Sequence, residues 1–384
     1  MKASFPVRAE RTDILSTGAD HRSPVARRLA LTAAAALALA AGCAATTAGR
    51  PVVWPDPPEK ARIRFVTAFR GTSDLDNSSW AKIKRGVFGG DADPNLAQPM
   101  GIAVSDDGNR LYIADHGLGQ VMVADFGDRS VRVFAGDEPK GKPFAVALDA
   151  KENVYLTDSI GKQVIVFSRG GERLRAFGGH ELERPTGLAL DRARGLLYVA
   201  DSATRQSEKH RVLVYDLGGK LLRQLGPAGG GPTKGSGDGQ FYFPTYLAIA
   251  ADGRLLVGDT LNFRVQEFDA QGRFLRKFGE NGDTVGTFAR LKGMALDGFG
   301  NLYVVDGGHS NVQIFNRDFA PLMFFGGYAQ KLEYFDVPSG IAIDPKRNRI
   351  YVCNEFIARI NVYELINTTA EDSLPANTVA RKAP

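Results

Sequence analysis

Short hydrophobic runs with alternating polar positions recur from residue 101 to residue 365, and Asp, Gly and Asn residues separate them. A period of two over such short runs is typical of half-buried β-strands. Six segments follow one plan of strand, turn, strand, polar loop, strand, turn and strand. The segments begin at Gly101, Ala145, Gly187, Leu247, Gly293 and Gly340.

A polar residue closes the second run of every segment, and its positions define the repeat length. The successive gaps are 43, 43, 58, 47 and 48 residues, which is the size of one propeller blade once an insertion in the third gap is allowed for. Short strands in such units, without a helical period between them, predict an all-β, six-bladed β-propeller. The closing residues are Asp115, Asp158, Asp201, Asp259, Asp306 and Asn354.

The two ends of the repeat region predict how the ring closes. The sixth segment ends after "INVYEL" with only three strands, and an isolated strand, "RIRFVTAF" at residues 62–69, precedes the first segment. Pairing the isolated strand with the sixth segment completes blade six and removes two exposed sheet edges. The propeller is therefore predicted to span residues 62–365, and it is expected to be monomeric.

The first 42 residues carry the features of an export signal. Three arginines precede an apolar stretch, residues 29–41, that is too short and too alanine-rich to span a bilayer securely. Small residues then lead into Cys43, and this stretch resembles the lipobox of bacterial lipoproteins. The resemblance implies cleavage before Cys43, lipid attachment there and, because residue 44 is not Asp, an outer-membrane position facing the periplasm. An ordinary secretory signal cleaved nearby is the alternative.

Four further segments depart from the repeat. Residues 43–61 are Pro-rich and aperiodic, which predicts a semi-rigid tether. Residues 77–91 are predicted to form a short helix. Residues 226–241 are Gly-rich but lack the spacing of a phosphate-binding loop, so a flexible inter-blade loop is predicted. Residues 366–384 are polar and unpatterned, which predicts disorder.

Charge argues against a nucleic-acid partner. The chain has 48 Lys and Arg and 43 Asp and Glu residues, and six of the former and three of the latter lie in residues 1–42. The mature chain is therefore nearly neutral, and it has no basic run interleaved with aromatic residues. Apart from Cys43 the only cysteine is Cys353, which lies in an apolar run and is predicted to be a buried, inert thiol.

A longer motif runs through the segments: P-x-G-[IL]-A-[LI]-D, a spacer, L-Y-V-x-D, a variable loop and V-x-[VI]-F. The stretches "RPTGLALD", "VPSGIAID", "NLYVVD" and "NFRVQEF" carry this motif, which resembles the NHL repeat. With the lipobox and "VVWPDPPEKARIRFV", the chain resembles bacterial NHL-type propeller lipoproteins. NHL propellers include protein-binding modules, RNA-binding modules and lyases that cleave peptidyl-hydroxyglycine, so the resemblance leaves the function open.

The polar residues that close the second strands admit two interpretations. Because the aspartate recurs at one register, it is expected to accept backbone N–H bonds in a turn that every repeat needs. The alternative is a ring at one mouth of the propeller that binds Ca²⁺ or Zn²⁺. Its candidate ligands are Asp115, Asp158, Asp201, Asp259, Asp306 and Asn354.

The histidine positions do not favour lyase chemistry. The resemblance implies that each metal-bearing lyase loop carries D-x-x-x-H-Q-V, with histidine two places before the valine. Aligning the six loops on that valine, or on the isoleucine that replaces it, places a histidine at this position only at His210, whereas His116 and His309 are out of register. A turn position is therefore the expected role of His309.

Together these patterns predict a lipid-anchored propeller that acts as a non-catalytic binding platform in the bacterial cell envelope. Its partner is expected to be an envelope protein or a small ligand. The alternative is a metal-dependent enzyme at the same mouth, similar to the lyases or to gluconolactonase-like propellers. The predicted mouth lies where the loops after the second strands gather, and it comprises His116, Lys162, Arg205, His210, Arg264 and His309.

Overall fold

The computed structural model describes residues 50–76, 78, 95–135 and 141–371, and its compact unit begins at Val52. The regular secondary structure of these residues consists of strands, one short helix, α1 (Thr72–Leu75), and a 3₁₀ turn (Thr260–Asn262). No helix among the described residues is long and apolar enough to cross a membrane.

Several predicted segments lie outside the described residues. They are the signal peptide at residues 1–42 with Cys43, the helix at residues 77–91 except for residue 78, and the tail beyond residue 371. These predictions stay predictions.

Each of the first five blades is a four-stranded antiparallel sheet whose strands follow chain order. The second strands are buried almost throughout, because a blade is packed between two others, whereas the outermost strands are partly exposed. Blades one and two comprise β3 (Pro99–Val104), β4 (Arg110–Asp115), β5 (Gln120–Asp125), β6 (Ser130–Val133), β7 (Pro143–Leu148), β8 (Val154–Asp158), β9 (Gln163–Phe167) and β10 (Arg173–Phe177).

Blades three to five repeat this arrangement, and the first strand of each blade lies innermost. Their strands are β11 (Pro185–Asp191), β12 (Leu196–Asp201), β13 (Arg211–Asp216), β14 (Leu221–Leu225), β15 (Pro244–Ile249), β16 (Leu255–Asp259), β17 (Arg264–Phe268), β18 (Phe274–Phe278), β19 (Leu291–Leu296), β20 (Leu302–Asp306), β21 (Asn311–Phe315) and β22 (Pro321–Gly326).

Blade six joins the two ends of the propeller. Its inner strands are β23 (Pro338–Asp344), β24 (Arg349–Asn354) and β25 (Arg359–Leu365), and β2 (Ile63–Phe69) pairs with β25 in antiparallel fashion. The prediction of an all-β, six-bladed propeller closed by its N-terminal strand is therefore confirmed.

A fifth strand of blade six, β1 (Val53–Trp54), lies within the segment predicted to be a tether. It pairs with residues Ile63 and Arg64 at the outer edge of the blade. The Trp54 ring lies 5.8 Å from the Tyr363 ring between centroids. This part of the segment is therefore held on the propeller, because aromatic packing stabilises it. It has no repeat pattern from which the strand could have been predicted.

The innermost strands pack directly on one another around the axis. A Cβ added at Gly340 would lie 2.3 Å from the carbonyl oxygen of Met100, and one at Gly293 would lie 2.4 Å from that of Ser339. Backbone atoms of the next blade thus leave no room for a side chain. This close approach explains why the P-x-G motif has glycine at its third position. The glycines in this register are Gly101, Gly187, Gly293 and Gly340.

The substitution Gly340→Ala is expected to destabilise the propeller by about 1 to 3 kcal/mol, because the added methyl group pushes blades six and one apart. Gly179→Ala is the matched control, since a Cβ at Gly179 would have nothing within 4 Å. Urea-induced unfolding followed by circular dichroism measures both variants. Equal unfolding free energies would contradict the close approach of the inner strands.

All blades have the same orientation relative to the axis. Pro99 at the start of β3 pairs with Asp115 at the end of β4, and Pro338 pairs in the same way with Asn354. We call this end of the ring the upper face. The loops that enter the first strands and the turns that follow the second strands gather there.

Candidate binding site at the axial mouth

The polar residues that close the second strands fasten the loops of the upper face. Asp115 accepts hydrogen bonds from the backbone N–H groups of Ala97 and Gln98 at 2.8 and 2.9 Å, and from that of Leu118 at 3.0 Å. All residues of this register are buried. Equivalent backbone N–H groups donate to Asp158, Asp201, Asp259, Asp306 and Asn354.

This series of residues does not fit a metal ion. Within the described ranges, no three His, Cys, Asp or Glu side chains form a group that could hold one. Each side chain of the series instead accepts N–H groups from its own blade, and a cation would compete with those donors for the same lone pairs. The repeated aspartate is thus placed as a part of the turn.

Two of the six residues predicted for the mouth, His116 and Arg205, line a cavity on the axis. His116 Nδ1 lies 3.2 Å from the carbonyl oxygen of Pro143, so the neutral ring carries its proton on Nδ1. Burial lowers the pKa of His116 below its ordinary value of 6.5, which keeps the ring uncharged at pH 7. Lys142 Nζ donates to the His116 carbonyl oxygen at 3.0 Å.

Three other predicted residues lie elsewhere. His210 is fully buried, and its Nδ1 accepts the backbone N–H of Phe243 at 3.2 Å. His309 lies in its own turn, with Nδ1 2.8 Å from Asp306 Oδ2. Lys162 is exposed, at a left-handed position of the blade-two turn with φ 54°. None of the three lines the axial cavity.

Arg264, the sixth predicted residue, turns into its own blade. Its Nε lies 2.8 Å from Asp259 Oδ2 in a buried ion pair. Its other guanidinium nitrogens bind the end of the Gly-rich loop, residues 226–241, for which the sequence predicts flexibility. Phe241 of that loop is fully buried. This half of the loop is therefore fixed, because Arg264 donates to the carbonyl oxygens of Ser236, Gly237 and Gln240.

The axial cavity has a volume of about 400 Å³ and opens at the upper face. The apolar part of its buried lining comes from the inner strands, through Met100, Phe144, Tyr246 and Leu291. Its exposed lining is basic, because it contains Arg184, Arg205 and Arg290. None of these three guanidinium groups forms an ion pair with any described residue.

A buried hydroxyl in this lining has an unmet hydrogen bond. The Tyr246 hydroxyl has no partner among the described residues, and the Tyr246 ring lies 5.4 Å from the Phe144 ring between centroids. Burial raises the pKa of Tyr246 well above its ordinary value, so the hydroxyl stays protonated. An unmet buried donor costs roughly 1 to 3 kcal/mol.

A buried ion pair crosses the mouth between blades five and six. Lys292 Nζ lies 2.6 Å from Glu355 Oε2, and Gln98 Nε2 donates to Glu355 Oε1 at 2.9 Å. Burial lowers the pKa of Lys292. Burial alone would raise the pKa of Glu355, but Lys292 and the hydrogen bond from Gln98 outweigh it, so this pKa lies below its ordinary value of 4.5. Glu355 is therefore ionised at neutral pH.

The cavity residues that sequence reasoning missed occupy positions that repeat in each blade. Arg184 and Arg290 directly precede a first strand, Lys292 is the second residue of one, and Glu355 follows the residue that closes a second strand. Glu355 therefore lies in the same kind of loop as the predicted mouth residues, whereas Arg184, Arg290 and Lys292 become apparent only when the blades are aligned on the start of the first strand.

The NHL-repeat model matches residues 182–215, which contain β11, β12 and most of β13. The chain is a six-bladed β-propeller that contains an NHL repeat. It is 27% identical over 233 residues to NHL repeat-containing protein 3 from Mus musculus, covering 58% of this chain and 65% of that protein. It is 28% identical over 131 residues to Protein brain tumor from Drosophila melanogaster, covering 33% of this chain and 12% of that protein.

Solved structures share this propeller fold at low sequence identity. A virginiamycin B lyase from Staphylococcus aureus aligns with a TM-score of 0.52 and 15% identity, over 70% of this chain and 96% of the lyase. A gluconolactonase-like propeller aligns with a TM-score of 0.54 and 13% identity, over 71% of this chain and 89% of that chain. At such identities the likeness shows the fold alone.

Proposed function

We propose that this NHL-repeat propeller is a non-catalytic binding protein whose axial cavity takes an anionic group of its ligand. The observation that carries the proposal is the basic lining: Arg184, Arg205 and Arg290 are exposed around the cavity and have no ion pair with a described residue. Guanidinium groups without a counter-charge attract carboxylates and similar anions. An apolar lining with a few polar groups is the usual composition of a ligand pocket.

The charged groups deeper in the cavity favour binding over catalysis. Lys292 and Glu355 neutralise each other in a hydrogen-bonded pair, and Gln98 occupies the other oxygen of Glu355. Neither group can exchange a proton with a ligand without breaking this pair.

A metal-dependent enzyme at the same mouth is the second candidate, because proteins of this fold include a virginiamycin B lyase and a gluconolactonase-like propeller. The metal content of purified residues 44–384, measured by mass spectrometry with and without a chelator, separates the two candidates. Stoichiometric zinc or calcium would favour the enzyme. Metal at trace level only would favour the binding protein.

Arg184→Ala and Arg290→Ala are each expected to weaken binding of 2-naphthoate, an anion with an apolar ring, by about five- to tenfold, because each removes a charged hydrogen-bond donor. Arg132→Ala is the control, since Arg132 is an exposed arginine of the outermost strand of blade one. Ligand-observed NMR titration measures the affinities. Equally tight binding of the neutral methyl ester would contradict the anion site.

We also propose that the protein is a monomer held by lipid on Cys43 at the outer membrane, facing the periplasm, where it meets an envelope protein. The support is the lipobox-like sequence before Cys43. Cys43→Ala is expected to move the protein from the membrane fraction to the soluble fraction, as measured by immunoblotting after ultracentrifugation. Unchanged membrane association in this variant would overturn the anchor.

A further inference from the structure

The most exposed large apolar side chains of the described residues all lie at the upper face. Tyr328 is 71% exposed, Ile160 68%, Phe356 63% and Leu332 60%, and every other large apolar residue of the described chain is below 50%. Ile160 and Phe356 lie in the turns after second strands, and the other two lie in the loop between blades five and six. The opposite end of the ring has no comparable residue among those described.

These residues lie on consecutive blades beside the cavity. Phe356 belongs to blade six and Ile160 to blade two, and between them the corresponding turn of blade one carries Leu118, which is 39% exposed. The inner strands of blades six, one and two are neighbours in the ring. We call this set the apolar crescent: Leu118, Ile160, Tyr328, Leu332 and Phe356.

The basic residues of the cavity lie mainly on the other side of the axis. Arg184 and Arg205 belong to blade three, and Arg290 enters blade five. The upper face thus presents an apolar crescent and a basic group on either side of one cavity. Exposed aromatic residues beside arginines are typical of the centre of a protein interface.

We infer that the ligand of the mouth is a segment of a partner protein that carries acidic and apolar side chains close together, an inference that rests on the proposed function. A carboxylate of the segment meets Arg184 and Arg290, and its apolar side chains cover the crescent. A small anion would fill the cavity and leave the crescent exposed to water, at a cost that grows with its apolar area.

The test uses short fluorescein-labelled peptides that combine Asp or Glu with Phe and Leu, with matched peptides in which Asn and Gln replace the acids. Fluorescence anisotropy with the full-length protein measures affinity. Ile160→Ser and Phe356→Ser probe the crescent. Leu174→Ser and Leu275→Ser are the matched controls, because both residues are 47% exposed on outermost strands.

We expect the acidic peptides to bind at least about tenfold more tightly than their amide counterparts, and each crescent variant to weaken binding by about five- to tenfold while the controls do not. Binding of 2-naphthoate should be the same in the crescent variants as in the unaltered protein. If 2-naphthoate binds but the peptides do not, the inference fails and the proposed function stands; if neither binds, both fail. Tighter binding to phosphatidylglycerol vesicles than to any peptide would also overturn the inference.

Discussion

A chain shortened to residues 70–384 is expected not to form a stable monomer, whereas one shortened to residues 52–384 is expected to fold. The first deletion removes β1 and β2, and β25 is left as an unpaired edge. Ile63 and Phe69 are fully buried, and burial of each contributes about 2 to 3 kcal/mol. Together with the lost strand pairing, this loss of free energy approaches the total stability of a domain, which is about 5 to 15 kcal/mol.

The two shortened chains are compared by soluble yield, size-exclusion chromatography and thermal unfolding. The chain of residues 52–384 is the control, because it keeps all the strands of the described propeller. We expect the shorter chain to aggregate, since an exposed edge strand pairs with other chains. A monomeric 70–384 chain with the unfolding temperature of the control would show that blade six is stable without its N-terminal strands.

Glu355→Ala is expected to destabilise the propeller by about 3 to 5 kcal/mol, because it leaves the Lys292 ammonium buried without its partner. The double variant Lys292→Met/Glu355→Leu is the control, and we expect its stability to lie within about 1 to 2 kcal/mol of the unaltered protein, since no buried charge remains. Urea unfolding at pH 7 measures all three proteins. A single variant as stable as the double variant would mean that Lys292 reaches water.

The same pair predicts a dependence on pH. The pKa of Glu355 is lower in the folded protein than its ordinary value of 4.5, so its stabilising effect is complete above that value and is lost as the pH falls through the folded pKa. In Glu355→Ala the lowered pKa of Lys292, ordinarily 10.5, acts in the same direction at higher pH. That variant should gain stability as the pH rises, because the unfolded chain binds the proton more tightly.

The fold could be predicted because its signals are local and repeated. Alternation of hydrophobic and polar residues within short runs marks the strands. The sixth segment has only three strands, and the isolated strand before Gly101 supplies the fourth, which implies closure of the ring. Strand β1 could not be found in this way, since it is only two residues long. Trp54 is held by contacts with Tyr363 and Phe325, which lie far away in the sequence.

The binding site was harder to predict, because the direction of a loop side chain depends on its neighbours. His210 turns inward because the rings of Tyr242 and Phe243, from the next inter-blade loop, pack on it. Arg264 turns inward because Asp259 and a set of loop carbonyls accept its donors. Arg184 and Arg290, in contrast, precede strands whose register is fixed, so the repeat itself determines that they lie at the mouth.

Blade six combines the first and the last strands of the propeller, so its formation requires both ends of the propeller to be present. Arg64 and Glu364 pair across it although they are 300 residues apart in the sequence. Contacts of such long range form late, because the whole intervening chain must first be brought into place. During synthesis the N-terminal strand therefore has no partner until β25 has left the ribosome. The ring can close only as one of the last events of folding, after every blade between its ends has been made.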